Sequence, residues 1–95
     1  MIESRLQELG LSLPRPSKAL ATYVPFVKTG LWVFISGQLP LWEGKLEYSG
    51  TVGQDLSLEE GKKAAQLCAL NILAQLKEAC AGDWNRVTGC LRLGG

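Results

Sequence analysis

Residues 23–40 read Y-V-P-F-V-K-T-G-L-W-V-F-I-S-G-Q-L-P, and this stretch decides the fold. β-branched and aromatic residues fill two segments, residues 22–27 and residues 31–36, as is typical of β-strands. The K-T-G segment at residues 28–30 lies between them and contains the glycine that a tight turn favours. The pattern therefore predicts a β-hairpin.

The two predicted strands differ in their expected surroundings. Pro25 has no backbone N–H, so we expect the first strand to lie at a sheet edge or to be bulged at this residue. The second strand is apolar almost without interruption, which indicates burial on both faces. We expect a helix to cover one face and a partner subunit to cover the other, because an exposed apolar face predicts self-association.

A long helix is predicted from residue 58 to about residue 80, a stretch without proline. Ser57 and Glu60 form a capping-box pattern, with Ser57 as the N-cap. We expect the exposed side of this helix to carry Lys62, Lys63, Gln66, Gln75, Lys77 and Glu78. We expect its buried face to carry mostly small residues at spacings of three and four, namely Ala65, Cys68, Ala69, Ile72, Leu76 and Ala79.

Shorter elements flank the hairpin and the long helix. Apolar residues at helical spacing predict a short helix over residues 2–9, which Gly10 is placed to end. Residues 42–48 predict a turn and a short third strand, and residues 87–93 predict a last, central strand on which Cys90 would pack in the core. This order of elements indicates an α+β domain with one long helix across one face of a sheet.

The composition excludes several classes of function. The chain contains no histidine, which removes Ser-His-Asp and Cys-His nucleophile pairs and histidine metal sites. Cys68, Cys80 and Cys90 lack metal-ligand spacing, so we expect reduced, mostly buried thiols and no metal. The net charge of +1 gives no basic face for nucleic acid, and no apolar run reaches the roughly 18 residues of a membrane span. We therefore predict a cytoplasmic protein without a cofactor.

The stretch at residues 23–40 resembles the first hairpin of the RidA-like (YjgF) family in its early tyrosine, its V-K-x-G turn, its apolar second strand and its S-G-Q-x-P ending. The segment D-L-S-L-E-E-G-K-K-A-A-Q-L-C-A-L-N-I-L-A-Q-L-K, residues 55–77, is similar to the family's first long helix and includes the shared Asn71. Residues 82–87, G-D-W-N-R-V, resemble the family's helix-to-strand connection. The helix at residues 2–9 is similar to that of a longer branch of the family.

The resemblance implies a chorismate-mutase-like α+β fold, with a mixed sheet and a long helix on one face. It also implies a homotrimer with a ligand cleft between neighbouring subunits. The family's usual chain continues with a second helix and two further strands. We therefore expect residues 1–95 to form a single RidA-like domain that is incomplete at its C-terminus, before the second helix and the last strands.

By resemblance to the family, three residues of this chain are expected to lie in the ligand-binding cleft. The hydroxyl of Tyr23 could donate to a ligand oxygen, or the ring could pack at a sheet edge. Ser36 could face the cleft or serve as a strand-end serine, and Gln38 is favoured to hold the loop rather than a ligand. The family's carboxylate-binding arginine lies beyond these residues, and Arg86 and Arg92 are in the wrong segment to replace it. The catalytic residues are therefore not identified.

The sequence and the resemblance leave three functions open. The best-known relatives hydrolyse enamines and imines, such as 2-aminoacrylate, to 2-keto acids and ammonia, which implies a deaminase acting on a small carboxylate-bearing molecule. A non-catalytic ligand-binding or interaction module on the same fold is the alternative, because the arginine is absent. An endoribonuclease or translation inhibitor, as some family names suggest, has the least support, since the charge is near neutral and histidine is lacking.

Overall fold

The computed structural model describes residues 2–16, 24–42 and 45–94. In these residues the α+β class predicted from the sequence is confirmed. The elements in chain order are α1 (Ile2–Glu8), β1 (Phe26–Thr29), β2 (Trp32–Ile35), β3 (Leu41–Trp42), β4 (Lys45–Leu46), α2 (Leu58–Ala79) and the 3-10 helix η1 (Trp84–Arg86).

β1 and β2 form the predicted hairpin, but its turn lies further along the chain than expected. The strands pair antiparallel with Thr29 opposite Trp32, which leaves Gly30 and Leu31 as a two-residue turn. Gly30 has a φ of +58°, the left-handed value that such a turn needs at its first central position. Because glycine adopts this conformation without strain, the position of Gly30 determines where β1 ends and β2 begins. Residues 22–23 of the predicted first strand lie outside the described residues.

The described strands form two separate antiparallel hairpins, β1–β2 and β3–β4, and are not joined into one mixed sheet. The predicted last strand, residues 87–93, is irregular, and Cys90 within it is exposed. A strand is stabilised by the hydrogen bonds of its ladder, and no other described strand pairs with this segment. The prediction that Cys90 packs in a core is therefore wrong for the described part of the chain.

Hydrogen-bonded caps begin and end α2. The N–H of Ser57 donates to Glu60 Oε1, and the N–H of Glu60 donates to Ser57 Oγ, both at 3.1 Å, so the predicted capping box is confirmed. At the other end the N–H of Gly82 donates to the carbonyl of Lys77 at 2.9 Å, which is the long bond of a Schellman motif. The left-handed residue of that motif is Ala81, with a φ of +54°, where glycine is usual.

The short N-terminal helix is confirmed and forms part of the core. Gly10 has a φ of +73°, and the N–H of Leu11 donates to the carbonyl of Leu6 at 2.8 Å, so α1 also ends in a Schellman motif. The side chain of Leu6 is buried in one cluster with Leu67 and Leu70 of α2. α1 therefore removes apolar surface of the long helix from water.

Glu3 fastens α1 to the C-terminal end of α2. Its carboxylate accepts hydrogen bonds from Lys77 Nζ at 2.8 Å and from Trp84 Nε1 at 2.9 Å. These two bonds, that of Lys77 first, hold the pKa of Glu3 below its ordinary value of 4.5. A single carboxylate thus connects α1 with α2 and η1, which lie more than 70 positions further along the chain.

The buried face of α2 differs from the predicted one. Gln75 was expected at the surface but is 1% exposed, and Ala65 and Ala69 were expected inside but are exposed. The true face is rotated by about a third of a turn, because the buried amides of Asn71 and Gln75 interrupt the apolar spacing on which the prediction relied. The buried residues of the helix are Leu67, Leu70, Asn71, Ala74, Gln75 and Ala79.

Neither α1 nor α2 is long and apolar enough to cross a membrane, and the described residues contain no other α-helix.

Candidate functional site

The segment directly after β2 lines a shallow, open groove formed by Ser36, Gly37, Gln38 and Leu39. Two of the three predicted ligand-binding residues, Ser36 and Gln38, therefore lie side by side in it. The third, Tyr23, lies outside the described residues. β2 positions the groove because Ser36 extends the pairing of the hairpin by one residue and the chain then leaves the ladder.

Ser36 is tied to the chain that leads into β1. Its backbone N–H donates to the carbonyl of Pro25 at 3.0 Å, and its hydroxyl donates to the carbonyl of Val24 at 2.5 Å. The first bond extends the pairing of β1 with β2 to Pro25. The proline accepts through its carbonyl, so the N–H that it lacks is not required. Because its proton is used, the hydroxyl of Ser36 offers a ligand the lone pairs of Oγ and acts as an acceptor.

Gln38 folds back onto its own loop. Its Nε2 donates to the backbone carbonyl of Ser36 at 2.9 Å. This bond stabilises the curved backbone of the groove. The amide retains a second N–H and the Oε1 oxygen for a further partner, so Gln38 can serve the loop and a ligand together.

The groove is open at Gly37. A Cβ added at Gly37 would meet no atom within 4 Å. The described residues that line the groove are a serine, a glycine, a glutamine and a leucine, and none of them is charged. A bound carboxylate would therefore need its cationic partner from outside this segment.

Asn71 supports the groove from α2 and was not among the predicted site residues. Its side chain is 2% exposed, and Nδ2 donates to the carbonyls of Leu39 at 3.1 Å, Leu41 at 2.7 Å and Leu67 at 3.0 Å. The signal in the sequence is an amide inside a largely apolar helical segment, because a buried amide needs hydrogen-bond partners. The sequence does not reveal which carbonyls those partners are.

The cysteines contribute nothing to the groove. Cys68 is half-buried, and burial raises the pKa of its thiol, while Cys80 is buried and Cys90 is exposed. The expectation of mostly buried thiols therefore fails at Cys90. In residues 2–16, 24–42 and 45–94 no three side chains of the metal-binding types come together as a metal site.

The hairpin face that points away from α2 is apolar and exposed. Opposite residues of an antiparallel pair share a face, so Val27 lies beside Phe34, and Lys28 lies beside Val33 on the other side. Lys28 contacts the end of α2, which places Val27, Trp32 and Phe34 on the outer face of the hairpin. These three side chains are 48%, 53% and 64% exposed. The expected burial of β2 on both faces is therefore not found within the described part of a single chain.

Comparison with known proteins gives one family. The family model described as "YjgF/chorismate mutase-like, putative endoribonuclease" matches residues 3–95. Among curated proteins, Protein TCP17 of Trypanosoma cruzi is 35% identical over 92 residues, which cover 97% of this chain and 57% of that protein.

Solved structures agree with this match. A protein of unknown function from Agrobacterium tumefaciens is 49% identical, with a TM-score of 0.76 over 86% of this chain and 49% of its own. A protein called a "putative endoribonuclease" from Shewanella oneidensis is 46% identical, with a TM-score of 0.77 over 83% of this chain and 52% of its own. The chain thus spans about half the length of the relatives that it matches.

Proposed function

Since the chain belongs to the YjgF/chorismate-mutase-like family, we propose that it contributes one wall of a small-molecule site in a homotrimeric imine and enamine deaminase. The activity is carried over from the RidA-like proteins that the motif at residues 36–40 resembles. Because the chain spans 57% of its curated relative, groups beyond these residues would complete the site.

The observation that carries the proposal is the groove at Ser36, Gly37, Gln38 and Leu39. Its lining is mostly apolar and carries the polar groups of Ser36 and Gln38, and a Cβ added at Gly37 would meet nothing within 4 Å. Small-molecule sites are mostly apolar with a few fixed polar groups, a composition that this groove shares. The groove also follows directly after the exposed apolar hairpin, so a subunit that covers the hairpin would come close to it.

The homotrimer is supported by the outer face of the hairpin, Val27, Trp32 and Phe34, each about half exposed or more. Burying these side chains against a second copy would remove apolar surface from water, which favours association. A closed cyclic assembly of three copies uses one such surface on each subunit. A cleft between neighbouring subunits would then be bounded on one side by the groove.

The reaction is a hydrolysis that balances without a cofactor. 2-Aminoacrylate moves a proton from its nitrogen to its methylene carbon and becomes the imine. Water then adds to the C=N carbon, and the resulting carbinolamine expels ammonia as the C=O bond forms, which leaves pyruvate. Ser36 Oγ and Gln38 Oε1 are acceptors that would orient the water or the imine N–H. The substrate carboxylate would take its cationic donor from the rest of the trimer.

A non-catalytic ligand-binding module is the second candidate, and it is favoured because the described residues of the groove lining are uncharged. An endoribonuclease has less support, although the Shewanella oneidensis neighbour carries that name. RNA cleavage commonly uses histidine, and binding uses a basic surface, whereas this sequence has no histidine and a net charge of +1.

Ammonia release from 2-aminoacrylate, generated in solution and compared with the uncatalysed rate, tests the activity. We expect acceleration by the protein and three chains per particle in a native mass spectrum. Phe34→Asp on the outer face should reduce the trimer and the ammonia release together, whereas Gln66→Asp on the exposed side of α2 should change neither. Pyruvate binding without accelerated ammonia release would instead support the binding module, and a monomer would overturn the intersubunit site.

A further inference from the structure

We propose that Asn71 is the positioning residue of the groove. Its buried amide fixes the backbone on which Ser36, Gly37, Gln38 and Leu39 present their polar groups, and it thereby sets ligand affinity without contacting the ligand. The part of this proposal that concerns ligand affinity rests on the proposed function. The part that concerns the shape of the groove stands on hydrogen bonds within the chain.

A tight turn centred on Pro40 closes one end of the groove. The N–H of Leu41 donates to the carbonyl of Leu39 at 2.8 Å, which is the hydrogen bond of a three-residue turn. Proline suits the central position because its ring already fixes φ near the value that the turn requires. Leu39 is at once the first residue of this turn and the last residue of the groove.

Asn71 holds both carbonyls at the ends of this turn. Nδ2 donates to Leu39 at 3.1 Å and to Leu41 at 2.7 Å, and a third bond of 3.0 Å reaches Leu67 within α2. An amide nitrogen has two protons, so one of them is shared between two carbonyls. The amide therefore links the turn to the most regular element of the structure, and few other orientations of the turn would satisfy all three carbonyls.

Because the Asn71 amide is buried, its hydrogen bonds to the turn are hard to replace. The side chain of Asn71 is only 2% exposed, so water cannot readily replace its amide as donor to the two carbonyls. The carbonyl of Pro40 accepts from the N–H of Glu47 at 3.1 Å, which ties the turn to the chain after β4. From α2, Asn71 bonds to the carbonyls at both ends of the turn. Without Asn71, the turn would keep its backbone bonds and lose these two hydrogen bonds to α2.

The neighbouring residue on α2 offers a matched control. Leu70 is buried at 7% exposure, but its side chain packs in the cluster with Leu6 and Leu67. Leu70→Ala should therefore weaken the whole fold and leave the turn in place. Asn71→Ala should act on the turn and the groove. The pair separates a role in positioning from a general contribution to stability.

The experiment records the backbone amide signals of Gly37, Gln38 and Leu41 by NMR, without ligand and during a titration with pyruvate. For Asn71→Ala we expect shifted or broadened signals at all three residues and a pyruvate Kd raised by about tenfold, the loss expected when one positioning bond is removed. For Leu70→Ala, measured where the protein is folded, we expect near-native groove signals and an unchanged Kd. If Asn71→Ala does not fold, Asn71→Ser replaces it, because its hydroxyl can bond to the carbonyl of Leu67 and is too short to reach the turn.

Native groove signals and native pyruvate affinity in a folded Asn71 variant would overturn the proposal. Equal changes in the Leu70→Ala protein would also overturn it, since they would show a general loss of structure. If the unsubstituted protein does not bind pyruvate, the proposed function fails, and the signals recorded without ligand still decide whether Asn71 positions the groove.

Discussion

Lys28 and Ala79 are 51 positions apart in the chain and are joined by a hydrogen bond of 2.9 Å from Nζ to the backbone carbonyl. Ala79 is the last residue of α2, so its carbonyl has no intrahelical donor. The ammonium group supplies that donor and places positive charge at the negative end of the helix dipole. One side chain thus connects the hairpin that leads to the groove with the end of α2.

Removing the charge of Lys28 should weaken the fold. Lys28→Met keeps most of the aliphatic chain but loses the hydrogen bond and the helix-end charge, which should lower the free energy of unfolding by about 0.5–1 kcal/mol. Urea unfolding followed by circular dichroism measures this. Lys45→Met, on the exposed strand β4, is the control and should change the free energy by less than about 0.5 kcal/mol. Equal losses in both proteins would contradict the capping role.

The carboxylate of Glu3 should make stability depend on pH. Its pKa in the folded protein lies below the ordinary 4.5, because Lys77 and Trp84 donate to the ionised form. The stabilisation is therefore fully present above the unfolded pKa and is lost as pH falls through the lower, folded pKa. Glu3→Gln should be less stable than the native protein at pH 7, and the difference should shrink as the pH falls below 4.5.

Urea midpoints at a series of pH values measure this difference. Glu8→Gln is the control, because the bond between Glu8 and Arg5 is an exposed pair within one helix and should contribute little. A difference between Glu3→Gln and the native protein that stays constant down to strongly acidic pH would show that the carboxylate is not the cause.

The short helix α1 should be required for the stability of the whole fold. Leu6→Ala removes a buried side chain from the cluster with Leu67 and Leu70 and should cost about 2–4 kcal/mol. Leu9→Ala removes the same atoms from a side chain that is 58% exposed, and its cost should be much smaller. Thermal unfolding of both variants gives the comparison. If the two substitutions cost the same, α1 is not packed on α2 in solution.

Ala81 marks a position where the sequence departs from the usual cap. It holds the left-handed φ of +54° that glycine adopts without strain, so Ala81→Gly should raise the free energy of unfolding by about 0.5–1 kcal/mol. The reverse effect is expected at Ala64 inside α2, where Ala64→Gly should cost about 1 kcal/mol. Denaturant midpoints of the two variants should therefore move in opposite directions, and a fall for Ala81→Gly would contradict the assigned cap.

The features that the sequence predicted well are those that nearby residues determine. The capping box at Ser57 and Glu60 lies within four positions, and Gly10 ends α1 through its own backbone conformation. The hairpin follows from strand-forming residues on both sides of Gly30. The family and its fold followed from longer motifs of the same stretches, and the comparisons bear them out.

The features that the sequence did not predict depend on distant partners. Asn71 and Gln75 are polar residues on the buried face of α2. Asn71 donates there to the carbonyls of Leu39 and Leu41, which lie 32 and 30 positions earlier in the chain. A prediction from apolar periodicity treats a polar residue such as Gln75 as exposed, so it selected a different buried face of α2. Residues 87–93 have the composition of a strand, but a strand also needs a neighbour, and the described residues provide none.

Measuring kcat/KM for ammonia release from 2-aminoacrylate in two glycine variants tests the proposal that the groove after β2 is the site of hydrolysis. Both Gly37 and Gly89 have room for a Cβ and neither has a positive φ, but only Gly37 lines the groove. We predict that Gly37→Val, which adds a branched side chain to a residue that lines the groove, lowers kcat/KM by at least about tenfold and that Gly89→Val leaves it near the native value. Equal kcat/KM in the two folded variants would contradict the proposal and would show that hydrolysis takes place outside the groove.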